Sequence, residues 1–237
     1  MNYIEQIRTS IEDLKSGSKL SIWNRGLLNY NLLINPCISE SELNTLEDMY
    51  KGKLPSEYRE YVLNIGNGGN QPEAGMFTAE QSLALMFNEK TDAPIDYNDL
   101  TQYYAAINRG GYADLLDCFY SIFNEIIEQD NEPCVLEDFF TEEGLFKYRD
   151  LYDSDIDSFA EYESAMMKHL LIFSFNNECR VIFAIALDGV HKDQVIYYSC
   201  ESNGAAMRDG DIVFTNMSFL EWMNALYNNS CIPYDII

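Results

Sequence analysis

No run of this sequence approaches the roughly 18 apolar residues that a membrane-spanning helix requires, so no transmembrane helix is predicted. Cysteine occurs at 37, 118, 134, 179, 200 and 231, never as a CxxC pair, and the nearest two stand 16 residues apart. That spacing offers neither a zinc ribbon nor a redox motif, and it predicts reduced, mostly buried thiols rather than a disulfide frame. Histidine is scarcer still. His169 and His191 stand outside any HExxH pattern, so no metal centre is expected. Serine is absent from any GxSxG context, and no cysteine has a neighbour that would lower its pKa. These gaps predict a protein without cofactor and without enzymatic activity. Basic residues are also few, 15 Lys and Arg against 39 Asp and Glu, for a net charge of −24. A base-stacking platform needs a basic groove along the phosphate backbone, which this chain is too poor in cations to build. Nucleic acid and anionic lipid surfaces are therefore disfavoured as partners. The charge leaves two readings open, a field that steers basic proteins inward or plain solubility.

What is present points to a packed globular chain. Hydrophobic residues make up 47% of the 237 residues, including 17 Tyr and 13 Phe, well above the range of disordered sequences. The start, "MNYIEQIRTSIEDLKSG", lacks the basic region and apolar core of a secretion signal, and a cytoplasmic location is expected. Ile4, Ile7, Ile11 and Leu14 recur there at helical spacing. After a short mixed segment ending at Pro36, "ISESELNTLEDMYKGK" pairs Ser39 with Glu42 as a capping box. Leu43, Leu46 and Met49 or Tyr50 would line the buried face of that helix, with Gly52 ending it.

"LPSEYREYVLNIGNGGNQP", residues 54–72, poses the sharpest question, because its glycines could cradle a phosphate. Pro55 is tolerated in a first helical turn, and Tyr58, Tyr61, Val62 and Ile65 continue at helical spacing. A dinucleotide fingerprint requires a strand before its glycines and a helix after them. Here a helix comes first, and no GxxxxGK[ST] is present. The glycines are better explained as stop and turn positions, with Asn67, Gly68 and Gly69 predicted to take positive φ.

Residues 38–77, from Ile38 through the "LPxxY" turn (Leu54, Pro55, Tyr58) and "NGG" (Asn67, Gly68, Gly69) to Gly75–Met76–Phe77, resemble the start of an SMI1/KNR4 (SUKH superfamily) domain. These motif residues are assigned scaffold roles. Farther on, "YADLLDCFYSIFNEIIEQ" places Leu115, Leu116, Phe119, Ile122, Phe123 and Ile126 at helical spacing. Residues 131–163 carry eleven acidic residues against Lys147 and Arg149. "DSDIDSF" imitates the opening of an EF-hand loop, but Ser158 stands where a glycine is needed and Ser164 where a bidentate glutamate is needed. A solvated acidic face is a better reading of that loop than a calcium site, and Asp150, Asp153, Asp155, Asp157, Glu161 and Glu163 are the carboxylates of this acidic stretch.

From residue 170 the period changes to that of strands. "LLIFSF", "RVIFAIAL", "QVIYYSC" and "DIVFTN" are separated by turn signals and predict consecutive antiparallel strands. "SFLEWMNALYNN" then returns to helical spacing, with Ser218 and Glu221 as a second capping box. The expected fold is one α+β domain over residues 1–237. Its sheet is largely antiparallel, its strands lie mostly in the C-terminal half, and several helices pack on it. Residues 88–168 would form an acidic, partly helical elaboration.

The resemblance implies more than the residues do alone. Bacterial members of the superfamily are commonly immunity proteins that bind and neutralise a cognate polymorphic toxin. The implied partner is a protein toxin with a basic surface, such as a nuclease or deaminase, occluded stoichiometrically. The family supplies no contact residues; on the grounds of charge alone, the acidic residues 150–163 named above are the candidate contacts. The alternative implied by the same family is a regulatory interaction module without a toxin partner.

Overall fold

The apolar spacing near the start produces helix α1 (Tyr3–Ser16), which buries Ile4, Ile7, Ile11 and Leu14 along one stripe. In this computed structural model the residues described are 2–16, 34–70, 75–87, 169–176, 181–199, 212–228 and 235–236. The expected helix over 112–129 and the acidic stretch over 131–163 lie outside them.

Helix α2 (Glu40–Met49) opens with the expected capping box. Ser39 accepts from the Glu42 backbone, and the Glu42 carboxylate accepts from the Ser39 N–H. Its buried face runs through Leu43 and Tyr50, whereas Met49 is exposed. The helix ends in a Schellman arrangement, with Gly52 N–H on Glu47 O at 3.0 Å and Lys51 N–H on Asp48 O at 3.3 Å. The left-handed position of that cap is Lys51, at φ 52°, and not Gly52. Helix α3 (Ser56–Asn64) follows, with Pro55 as its N-cap residue, one position before the first turn where it was expected. The first N–H groups of a helix have no partner within it, so the shift costs no helix hydrogen bond.

Past α3 the chain turns at the glycines. Gly68 and Gly69 take φ of 82° and 131°, while Asn67 does not enter the left-handed region. Asn67 works through its side chain instead, its Oδ1 accepting the Ala79 N–H at 2.7 Å at the start of helix α4 (Ala79–Phe87). Between them lie the short strands β1 (Gly69–Asn70) and β2 (Gly75–Met76), paired as an antiparallel hairpin.

The second half supplies β3 (Leu170–Asn176), β4 (Val181–Ala186), β5 (Gln194–Ser199) and β6 (Ile212–Ser218), then helix α5 (Phe219–Asn228) and β7 (Asp235–Ile236). Among the described residues the seven strands form one sheet in chain order, every neighbouring pair antiparallel. The protein is thus an α+β domain with four long strands in its C-terminal half, as its strand-period runs predict.

β4 reads "VIFAIA" and is buried at every position. Because side chains alternate between faces, Val181, Phe183 and Ile185 join the cluster made with the helices. Ile182, Ala184 and Ala186 belong to the opposite face and are equally buried.

The helix-side core is a nest of aromatic rings. Phe219 meets Tyr58, Tyr61 and Phe173 edge-on with centroids 5.2, 5.5 and 5.0 Å apart. Such pairs add about 0.5–1.5 kcal/mol each beyond their buried area. The polar ends of the large rings are satisfied. Trp222 Nε1 donates to Tyr197 Oη at 2.6 Å, and the hydroxyls of Tyr61 and Tyr227 share a bond of 3.2 Å. At the head of α5 the Leu220 N–H reaches the Glu57 carboxylate at 2.8 Å, which places a negative charge of α3 on the positive end of α5. The far end of α5 is tied to α1 by Ser10 Oγ donating to Asn228 Oδ1 at 2.8 Å.

Candidate functional site

Residues 34–38 run as an extended strap across the turn that follows α3. Ile34 bridges Gly69 in antiparallel fashion. Asn35 N–H donates to Gly68 O at 3.1 Å, Asn67 N–H to Pro36 O at 3.3 Å and Ile38 N–H to Val62 O at 3.2 Å. Asn35 Nδ2 adds a bond to Asn67 O at 3.0 Å. Gly66 makes this close approach of the strap possible, and Gly68 makes possible that of the Met76–Phe77 backbone. A Cβ on Gly66 would stand 2.2 Å from Ile34 Cγ2, and one on Gly68 would stand 2.9 Å from Met76 O. The motif glycines thus meet protein backbone on both sides.

Beside the strap lies a groove of about 490 Å³, lined by Pro36, Cys37, Ile38, Glu42, Thr45, Leu46, Asn67 and Glu80. Ile38 and Leu46 are half-buried against the core and form its apolar part. Glu42 and Glu80 contribute carboxylates, and both are exposed. Hydrogen bonds from the Ser39 hydroxyl and backbone hold the Glu42 carboxyl below its ordinary value, so it is ionised near neutral pH. Glu80 acts on its neighbour. Burial, and then the Glu80 charge, push the Tyr50 phenol above its usual range.

Below the groove, α2 and α3 are clamped by a buried carboxylate that periodicity places in the core phase. Glu47 is 2% exposed, and its Oε1 accepts the Leu54 N–H at 3.0 Å. Its Oε2 accepts from Arg59 at 2.7 Å and from Lys53 at 3.0 Å. Arg59 continues to Asn44 Oδ1 at 2.8 Å and Glu40 at 3.4 Å. Desolvation raises the Glu47 carboxyl, but the Leu54 amide, the Lys53 bond and the charges of Arg59 and Lys53 outweigh it and leave it below the ordinary value. The sequence carried one signal for this clamp: Glu47 falls at the fourth position after Leu43, where an apolar residue is due.

The motif residues converge on this region. Leu54 and Tyr58 are buried, Tyr58 Oη bonding to Ser82 Oγ at 3.0 Å and to Phe77 O at 3.3 Å. Pro55, Asn67, Gly68, Gly69 and Gly75 occupy the cap, turn and hairpin described above. Asp150, Asp153, Asp155, Asp157, Glu161 and Glu163 lie outside the described residues, so no geometry is assigned to them. His169 pairs through Nδ1 with Asp188, and His191 stacks on Phe214 with ring centroids 3.9 Å apart. Among the described residues no three His, Cys, Asp or Glu side chains group as a metal site, and no helix is long and apolar enough to cross a membrane.

Neither curated proteins nor solved structures give a match to this chain. Residues 37–225, however, match the model of the SMI1 / KNR4 family (SUKH-1), from the strap through most of α5. The match takes in the capped helix, the LP turn, the glycine turn and the antiparallel strands together, and the chain belongs to the SMI1 / KNR4 family (SUKH-1).

Proposed function

We propose that this chain is an immunity protein, which binds a cognate polymorphic toxin in the cytoplasm and occludes its active site stoichiometrically, without catalysis. The observation that carries the reading is membership of the SMI1 / KNR4 family across residues 37–225 in a chain of net charge −24. A toxin that acts on nucleic acid needs a basic cleft. An acidic protein is drawn to such a cleft at rates raised by long-range attraction and can stand in for the phosphates it would bind. Asp150, Asp153, Asp155, Asp157, Glu161 and Glu163 are the proposed acidic contacts, within a proposed acidic elaboration over about residues 88–168 of a single domain. The motif residues Leu54, Pro55, Tyr58, Asn67, Gly68, Gly69 and Gly75 are proposed to serve the scaffold.

Co-expression with the toxin domain encoded beside this chain's gene, followed by a pull-down, tests the proposal. Survival of the cells together with a recovered complex supports it. Death at the control rate with no complex contradicts it, and would leave a regulatory interaction module as the reading of the family membership.

A further inference from the structure

The groove beside the 34–38 strap combines an apolar part with carboxylates. Its apolar part, Ile38 and Leu46, suits a hydrocarbon chain, and its carboxylates, Glu42 and Glu80, suit a cation. Arginine and lysine are the side chains that carry both, an aliphatic stem that packs on apolar surface and a charged head. Among the described residues neither carboxylate is engaged in an ion pair, in contrast to Glu47, whose charge is consumed by Arg59 and Lys53. Glu42 is also fixed in place. Its Oε2 is held by the Ser39 N–H at 3.0 Å and the Ser39 hydroxyl at 2.5 Å, which fixes the carboxylate at the head of α2. A preorganised acceptor loses less rotamer freedom on binding than a free glutamate does.

We infer that this groove receives an arginine or lysine side chain of a protein partner, with its stem on Ile38 and Leu46 and its head at the Glu42 and Glu80 carboxylates. The inference rests on the reading of the chain as a binder of a basic protein, and it assigns that reading a contact region built from described residues. At about 490 Å³ the groove is within the range of roughly 300–1,000 Å³ typical of small-ligand pockets, so it admits one long side chain together with the backbone on either side.

The test uses the intact chain and a Gly-Arg-Gly peptide blocked at both ends, followed by amide chemical shifts. A Gly-citrulline-Gly peptide, of the same shape without the charge, is the control. The expected result is a saturable change at Cys37, Ile38, Thr45 and Leu46 with the arginine peptide and none with the citrulline peptide. Glu42→Gln with Glu80→Gln should weaken the arginine peptide about tenfold or more, because charge-assisted hydrogen bonds are the strong ones. Glutamine at position 42 keeps the capping box, so the fold is preserved. Glu12→Gln with Glu60→Gln removes the same charge from exposed sites elsewhere and should change affinity by no more than about twofold at physiological salt, where distant charges are screened. Shifts spread over the whole acidic surface, equal binding of the two peptides, equal binding by the groove variant, or no saturation would each overturn the inference. No toxin enters this experiment, so its failure is distinct from a failure of neutralisation.

Discussion

Replacing Glu47 by glutamine tests whether the buried clamp holds α2 on α3. The carboxylate is 2% exposed and accepts three bonds, from Leu54 N–H, Arg59 and Lys53. Glutamine can still accept from Leu54, but it loses the charge and turns an N–H₂ toward the cations. The Arg59 side chain is 22% exposed and the Lys53 side chain 70% exposed, so the Arg59 pair dominates. Breaking a buried pair costs about 3–5 kcal/mol when one charge is left alone. Arg59 keeps Asn44 and Glu40 as partners, which places the expected loss near the lower end, about 3 kcal/mol. With a urea slope of about 2–3 kcal/mol/M, the midpoint should fall by roughly 1–1.5 M. Fluorescence of Trp222, buried in the core, reports the transition. Lys53→Ala should cost no more than about 1 kcal/mol, as exposed pairs do. The pH dependence has a definite sign. Glu47 is held below its unfolded value, so its contribution is present above that value, near pH 4.5, and is lost as pH falls through the lower folded value. The difference between wild type and Glu47→Gln should therefore shrink in acid. A glutamine variant within about 0.5 kcal/mol of wild type, the ordinary range of surface substitutions, would refute the clamp.

Lys51 occupies the left-handed cap of α2 at φ 52°, and Lys51→Gly should raise stability by about 0.5–1 kcal/mol in the same urea assay, the steric relief exceeding the added chain entropy. Gly68→Ala should lower it by about 1–3 kcal/mol, since φ is 82° and the new Cβ would stand 2.9 Å from Met76 O and 3.0 Å from the Phe77 carbonyl. Burial raises the Tyr227 phenol far above its ordinary value, against a smaller opposing effect of the Tyr61 bond. Its contribution is full below the unfolded value, near pH 10, and is lost as pH climbs from there toward the folded value. Urea midpoints taken across alkaline pH should fall less steeply in Tyr227→Phe than in wild type.

Periodicity was enough to read α1, the capped α2 and the four long strands. Each buries a face whose spacing is set by 3.6 or 2 residues, and Ser39 with Glu42 announces a helix start through local bonds alone. Long-range contacts were not legible. The Leu220 N–H is capped by Glu57 of another helix, and Asn67 serves α4 through its side chain instead of bending its own backbone. The left-handed cap fell on Lys51 because the Schellman bonds of α2 fix the position first and the residue must conform. The groove was equally hidden. Pro36, Glu42, Asn67 and Glu80 are drawn together by the strap's bonds to the glycine turn, and no local pattern joins those positions.

The proposed function is neutralisation of a toxin by occupying it. Titrating the chain into the purified cognate toxin domain and following residual toxin activity measures this directly. Occlusion predicts a linear fall to zero at one equivalent, with association slowing as ionic strength rises. Full toxin activity at a large excess of this chain, or loss of activity at far below one equivalent, would contradict it.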